Sequence, residues 1–146
     1  MQPGPALVAA DLGFTAFAER NRPRYTRYAE ARLSAGVVTV VRATLAYAHR
    51  HWDWLLNQPC LAADVWEELR HHIRCEADDS PPQDAGVAAL YHGLPETSAD
   101  SVVLCHGLGL SVDEAAELMG LEPPAVEAGL GVARRALPHL AGGKLP

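Results

Sequence analysis

The stretch from Leu110 to Leu137, LSVDEAAELMGLEPPAVEAGLGVARRAL, leaves its backbone few choices. Ser111 followed three residues later by Glu114 is a capping box: the hydroxyl accepts from an orphan amide of the first turn, and the carboxylate accepts from the amide of the cap. A helix is therefore predicted to begin at Val112. Gly120 supplies the left-handed residue that ends such a helix, and Pro123 and Pro124 stand where a first helical turn tolerates a missing N–H. Val126, Leu130, Ala133 and Leu137 then recur at three- and four-residue spacing, which gives a second helix one buried face. Two helices joined by a short Gly-containing turn make a helix-turn-helix unit.

The same periodicity runs through the rest of the chain with no sustained alternation, so the expected fold class is all-α. A first helix is predicted from Phe14 to about Leu33, with Phe14, Phe17, Tyr25, Tyr28 and Ala29 inward and Pro23 placed to break or kink it. A second runs from Val37 to about Leu56, with Val41, Leu45 and Ala48 on one stripe. Its β-branched opening VVTVV would suit a strand, but a lone strand has no partner here. A third covers Ala62 to Cys75 and turns Val65, Trp66, Leu69 and Ile73 inward. The composition then changes abruptly, because CEADDSPPQDAG is acidic and interrupted by two prolines, as an exposed linker would be. Beyond it, short helices are expected from Val87 to about His92 and from Ser98 to His106, the latter capped by Thr97 or Ser98. The expected architecture is two small helical lobes, residues 1–75 and 87–146, joined by a Pro/Asp-rich linker over 76–86.

Hydrophobic residues make up 49% of the 146, enough to place the chain with globular rather than disordered sequences. No run of some twenty apolar residues occurs, and MQPGPALVAADLGF lacks the charged flank and cleavage pattern of a signal peptide. Cys60, Cys75 and Cys105 are an odd number at wide spacing, which fits a reducing compartment. A soluble, cytoplasmic protein with no membrane partner is expected. The net charge of −6 conceals an asymmetry. Residues 1–50 hold seven arginines against Asp11, Glu19 and Glu30, whereas residues 82–146 hold eight acids against Arg134, Arg135 and Lys144. Phosphate binding depends on basic charge, so the acidic half has the wrong sign for tight non-specific DNA binding.

The stretch LPETSADSVVLCHGLGLSVDEAAELMGLEPPAVEAGLGVARRAL resembles the C-terminal, promoter-binding domain of extracytoplasmic-function sigma factors. The residues that carry the resemblance are Leu94-Pro95, Gly109-Leu110-Ser111, Glu114-Ala115-Ala116, Val126, Leu130 and Ala133-Arg134-Arg135-Ala136-Leu137. FTAFAERNRPRYTRYAEARL is similar to the opening of that family's polymerase-binding domain, and the acidic joint falls where the family has its linker. The resemblance runs from about Phe14 to Leu140. It implies a transcription regulator whose partners are RNA polymerase core and promoter DNA, with no cofactor. DNA contact would fall to Arg134, Arg135, Ala125, Glu127 and Ala128, and contact with polymerase or another partner to Arg24, Arg27, Arg42, Gly129 and Val132.

This sequence departs from the family where charge matters. AGVVTVVRATLAYAHRHW has Val-Thr-Val where the family carries acids, and Glu127, Gly129 and Val132 stand where it exposes Lys and Arg. Each lost cation removes a unit of counterion release, and a carboxylate repels the backbone. Glycine within the helix costs about 1 kcal/mol relative to alanine. The alternative expectation is therefore a repurposed scaffold that binds protein, as a homodimer through the Val126 to Leu137 face or with another partner.

Other candidate sites are thinner. His71 and Cys75 have ligand spacing on a helix, with Asp78 beyond, but the set is incomplete unless His49, His51 or His72 joins, so no metal is expected. Trp52, Trp54 and Trp66 could stack on unpaired bases, although filling the core is the commoner use of such residues. No nucleophile elbow, P-loop or dinucleotide fingerprint occurs, and an enzyme is not expected.

Overall fold

A computed structural model describes residues 5–137, with side chains from Asp11 onward. The predicted C-terminal lobe and the family resemblance extend past Leu137, and residues 138–146 lie outside the described residues. Among the described residues there are eight α-helices, one π-helical turn and no strand, so the chain is all-α. The helices are α1 (Pro5–Arg32), α2 (Val37–Arg50), α3 (Trp52–Leu56), α4 (Leu61–Ala77), α5 (Ala85–Gly93), α6 (Glu96–Val102), α7 (Val112–Met119) and α8 (Pro123–Ala136). The π turn, Val103–Gly107, continues α6.

Helix α1 does not break at Pro23. The ring removes one backbone donor and crowds the preceding turn, at a cost of about 3 kcal/mol. Two helical turns of inward residues offset it: Ala18 on one side, and Tyr25, Tyr28 and Ala29 on the other, are all buried. Each large side chain contributes about 1.5–3 kcal/mol by leaving water. Pro23 itself faces solvent, and the Asn21 amide donates to the Phe17 carbonyl at 2.9 Å just upstream of the ring. The second predicted helix is divided at His51 into α2 and α3. Helix α4 buries the expected four residues, Val65, Trp66, Leu69 and Ile73.

The C-terminal half follows its punctuation closely. Glu114 N–H donates to Ser111 Oγ at 3.0 Å and Ser111 N–H to Glu114 Oε1 at 2.9 Å, closing the capping box. Gly120 ends α7 at φ 71°, and Leu121 N–H reaches back to the Ala116 carbonyl at 2.9 Å. One cap falls elsewhere than expected. Pro95, extended at φ −56° and ψ 148°, precedes α6, while Ser98 lies inside that helix and is buried against α8.

The two halves share their interior. Buried residues from α1, α2 and α4 and from α5, α6, α7 and α8 form one continuous apolar cluster. Gly120 marks its tightest point: a Cβ there would stand 2.3 Å from the backbone nitrogen of Ala63, at the start of α4. Only glycine satisfies both the left-handed backbone and this close approach.

Candidate protein and nucleic-acid interface

Ala125, Glu127, Ala128, Arg134 and Arg135 are all exposed on α8. The first turns of the helix thus present two methyl groups and a carboxylate, and the cations come only in its last turn. Gly129 requires a correction. Instead of facing a partner it is buried: a Cβ added there would stand 3.0 Å from Ser101 Oγ and 3.4 Å from Ser98 Cα. Small residues on both helices let α6 and α8 cross closely, which explains a glycine that helix propensity alone disfavours. Val132 is half-buried against the core. Val126, Leu130 and Ala133 are also buried within the chain, so the face considered for a homodimer is covered by the protein's own helices.

The basic first helix makes polar contacts within the chain. Arg20, Arg24 and Arg27 recur at four and three residues along α1; the first two reach α7, and the third reaches the turn that precedes it. Arg20 grips Glu117 with two bonds of 2.7 and 2.8 Å. Arg24 Nη2 donates to Glu114 at 3.2 Å, while its Nη1 is buried with no partner. Arg27 donates to the Leu108 carbonyl at 3.1 Å. The hydrogen bond from Arg20 holds the Glu117 carboxyl below its ordinary range, and the Ser111 cap does the same for Glu114. Arg42 lies apart from this ladder, exposed on α2.

Deeper in the same seam sits Asp100, fully buried on α6. Tyr28 donates to it at 2.6 Å, Tyr91 donates at short range, and Arg70 Nη1 approaches at 3.4 Å. Arg32 donates to Tyr28 at 2.9 Å and lies 3.9 Å above the Tyr91 ring. Glu96 then gathers Arg32 at 3.1 Å and Arg74 at 2.7 Å. Burial pushes the Asp100 carboxyl up, against the pull of its donors, and pushes both tyrosines well above their usual value. The network bonds α1 and α4 from the N-terminal half to α5 and α6 from the C-terminal half.

Two of the three tryptophans serve the core. Trp52 packs beside Phe14 and Phe17, Trp66 lies 4.4 Å from the Tyr28 ring, and Trp54 is exposed. Cys75 Sγ and His71 Nε2 are 3.9 Å apart, and among the described residues no three His, Cys, Asp or Glu side chains converge as a metal site would need. Also among them, no helix is long and apolar enough to cross a membrane. Sequence reasoning did not single out Arg20, Arg32, Arg70, Arg74, Glu96, Asp100 or Tyr91. The three- and four-residue spacing of Arg20, Arg24 and Arg27 was a signal available in the sequence, but nothing local announces that Asp100 is buried.

The fold and this seam define an all-helical protein in which the capped helix α7 is docked onto an arginine-bearing first helix. No family model matches the chain, and no curated protein does. Among solved structures, it is similar to that of CnrH in complex with the cytosolic domain of CnrY, at 24% identity and a TM-score of 0.59. The match covers 95% of this chain and 96% of that one. The likeness is one of fold: both chains are matched over almost their whole length.

Proposed function

We propose that this chain is an atypical sigma-like transcription regulator that works mainly through protein contacts. In this reading residues 1–75 and 87–146 are two sigma-like units, with 76–86 as their joint. The observation that carries the proposal is the ladder from Arg20 and Arg24 to Glu117 and Glu114: the cations best placed to meet phosphate are already engaged by the chain's own acids. The outer face of α8, with Ala125, Glu127 and Ala128, offers little to a duplex but is smooth enough to pack against protein. The CnrH structure supports this, since that sigma-like fold is seen with a protein partner.

A second reading, direct promoter contact, rests on Arg134 and Arg135, which are exposed and enter no ion pair among the described residues. Binding of a promoter fragment across a salt series separates the two. A protein-directed regulator shows almost no affinity and almost no salt slope. A DNA reader shows a steep slope that flattens by about two units of charge when Arg134→Ala and Arg135→Ala are combined. Retention of RNA polymerase subunits on the immobilised chain, with no promoter present, is the positive outcome for the main reading.

A further inference from the structure

Glu96 answers three cations at once: its carboxylate lies 3.1 Å from Arg32, 3.6 Å from Arg70 and 2.7 Å from Arg74. Arg70 and Arg74 also have Glu67, and Arg70 has Asp100, whereas Arg32 pairs with no other carboxylate among the described residues. The Arg32 side chain is only 9% exposed, and its bonds to Tyr28 and Glu96 both leave from Nη1. Nε and Nη2, the two donors on the side-on edge of the guanidinium, make no hydrogen bond among the described residues. The side-chain nitrogens there that are both buried and unpartnered belong to Arg24, Trp52 and Trp66, so the free edge of Arg32 is open to solvent. Arg32 lines a cavity of about 240 Å³ with Ala77 of α4, Pro81 and Pro82 of the segment that follows, and Ala88, Tyr91 and His92 of α5. No carboxylate lines it.

We infer that this cavity binds a small organic monocarboxylate with a compact apolar body, its two oxygens taken by Nε and Nη2 of Arg32. A guanidinium edge and a carboxylate match as two parallel N–H···O bonds, and those bonds gain strength where the arginine is largely withdrawn from water. Arg32 is held in place beforehand, stacked 3.9 Å over the Tyr91 ring and tied to the Tyr28 hydroxyl at 2.9 Å, so binding orders little. The volume falls below the roughly 300–1,000 Å³ of sites for drug-sized molecules, which selects a smaller one. Two prolines and two alanines supply apolar walls for its body. A phosphate dianion fits worse on two counts. Glu96, already at Nη1, repels the second charge, and the apolar walls leave the remaining oxygens unpaired. The lining comes from α1, α4, α5 and the segment between the last two, so an occupant fastens the N-terminal half to the C-terminal half. This site is independent of what the outer face of α8 meets.

The test titrates the full chain with benzoate, benzamide and inorganic phosphate, and reads backbone amide shifts and the melting temperature. Benzoate is expected to saturate, to move the amides of Arg32 and of residues 77–92, and to raise the melting temperature. Benzamide keeps the shape without the charge and should bind about tenfold more weakly or worse. Phosphate should not displace benzoate. Ala88→Leu fills the cavity from a half-buried position outside the seam's hydrogen bonds, so it should abolish benzoate binding while keeping the wild-type circular dichroism. Arg32→Lys keeps the charge but loses the planar edge, and should weaken benzoate by about tenfold or more; if that variant unfolds, Ala88→Leu decides alone. The inference is overturned if benzoate does not saturate, if benzamide binds equally, if phosphate displaces benzoate, if the shifts cluster elsewhere, or if folded Ala88→Leu binds benzoate like wild type.

Discussion

The seam between the two halves uses one chemistry, arginine against carboxylate, in two settings. At the rim, Arg20 meets Glu117 with more than half of the arginine side chain in solvent. In the interior, Arg70 and two tyrosines meet an Asp100 that has no exposure at all. Water screens the first and contributes little to the second, so the rim pair sets alignment while the buried group cannot be half-removed without leaving a charge unanswered. Geometry alone would rank the shorter, bidentate rim pair as the stronger. Burial reverses the ranking of what it costs to remove one partner.

The sharpest way to break the contrast is Asp100→Ala, which takes the shared acceptor from both buried tyrosine hydroxyls and one of the carboxylates that face Arg70. A loss of about 3–5 kcal/mol is expected in urea unfolding, and a loss no greater than that of an average surface variant would refute the buried role. Next comes Gly120→Ala, which combines left-handed strain with a clash against the backbone of Ala63; about 3 kcal/mol is expected, with the C-terminal helices shifted away from α4 in amide exchange. Arg20→Ala should be smallest, a change in the melting temperature that vanishes in high salt, since the pair is solvent-screened.

Acid sharpens the comparison further, because the two settings respond with opposite sign. Glu114 and Glu117 have folded values below the unfolded ones, so their contribution is present above the ordinary glutamate value of about 4.3 and is lost as pH falls through the lowered values. Asp100 has a raised value, so its folded form takes up a proton first, and acidification relieves its burial cost. Thermal melts from neutral to acid pH should show Glu117→Gln losing less stability on acidification than wild type, and Asp100→Asn losing more.

The elements that sequence made legible are those whose cause is local. Ser111, Glu114 and Gly120 delimit α7 through bonds spanning a few residues, and the inward stripe of α4 follows from helical spacing. Gly129 was misread because its reason, the two serines on α6, lies some thirty positions away. The cost of Pro23 was legible but the burial that offsets it was not. The arginine ladder was visible as spacing, yet its targets are separated from it by 81 to 97 residues, and no local pattern says that a helix will satisfy its cations within its own chain.

The π turn at Val103–Gly107, closed by Leu108 N–H to the Val103 carbonyl at 2.9 Å, carries one residue more than an α-turn would hold. Every helical residue turns the chain beyond it by about 100°. The count of residues between Asp100 and Ser111 therefore works as an angular gauge: deleting one from this turn would leave each helix intact yet swing α7 around its mounting, away from the arginines that meet it.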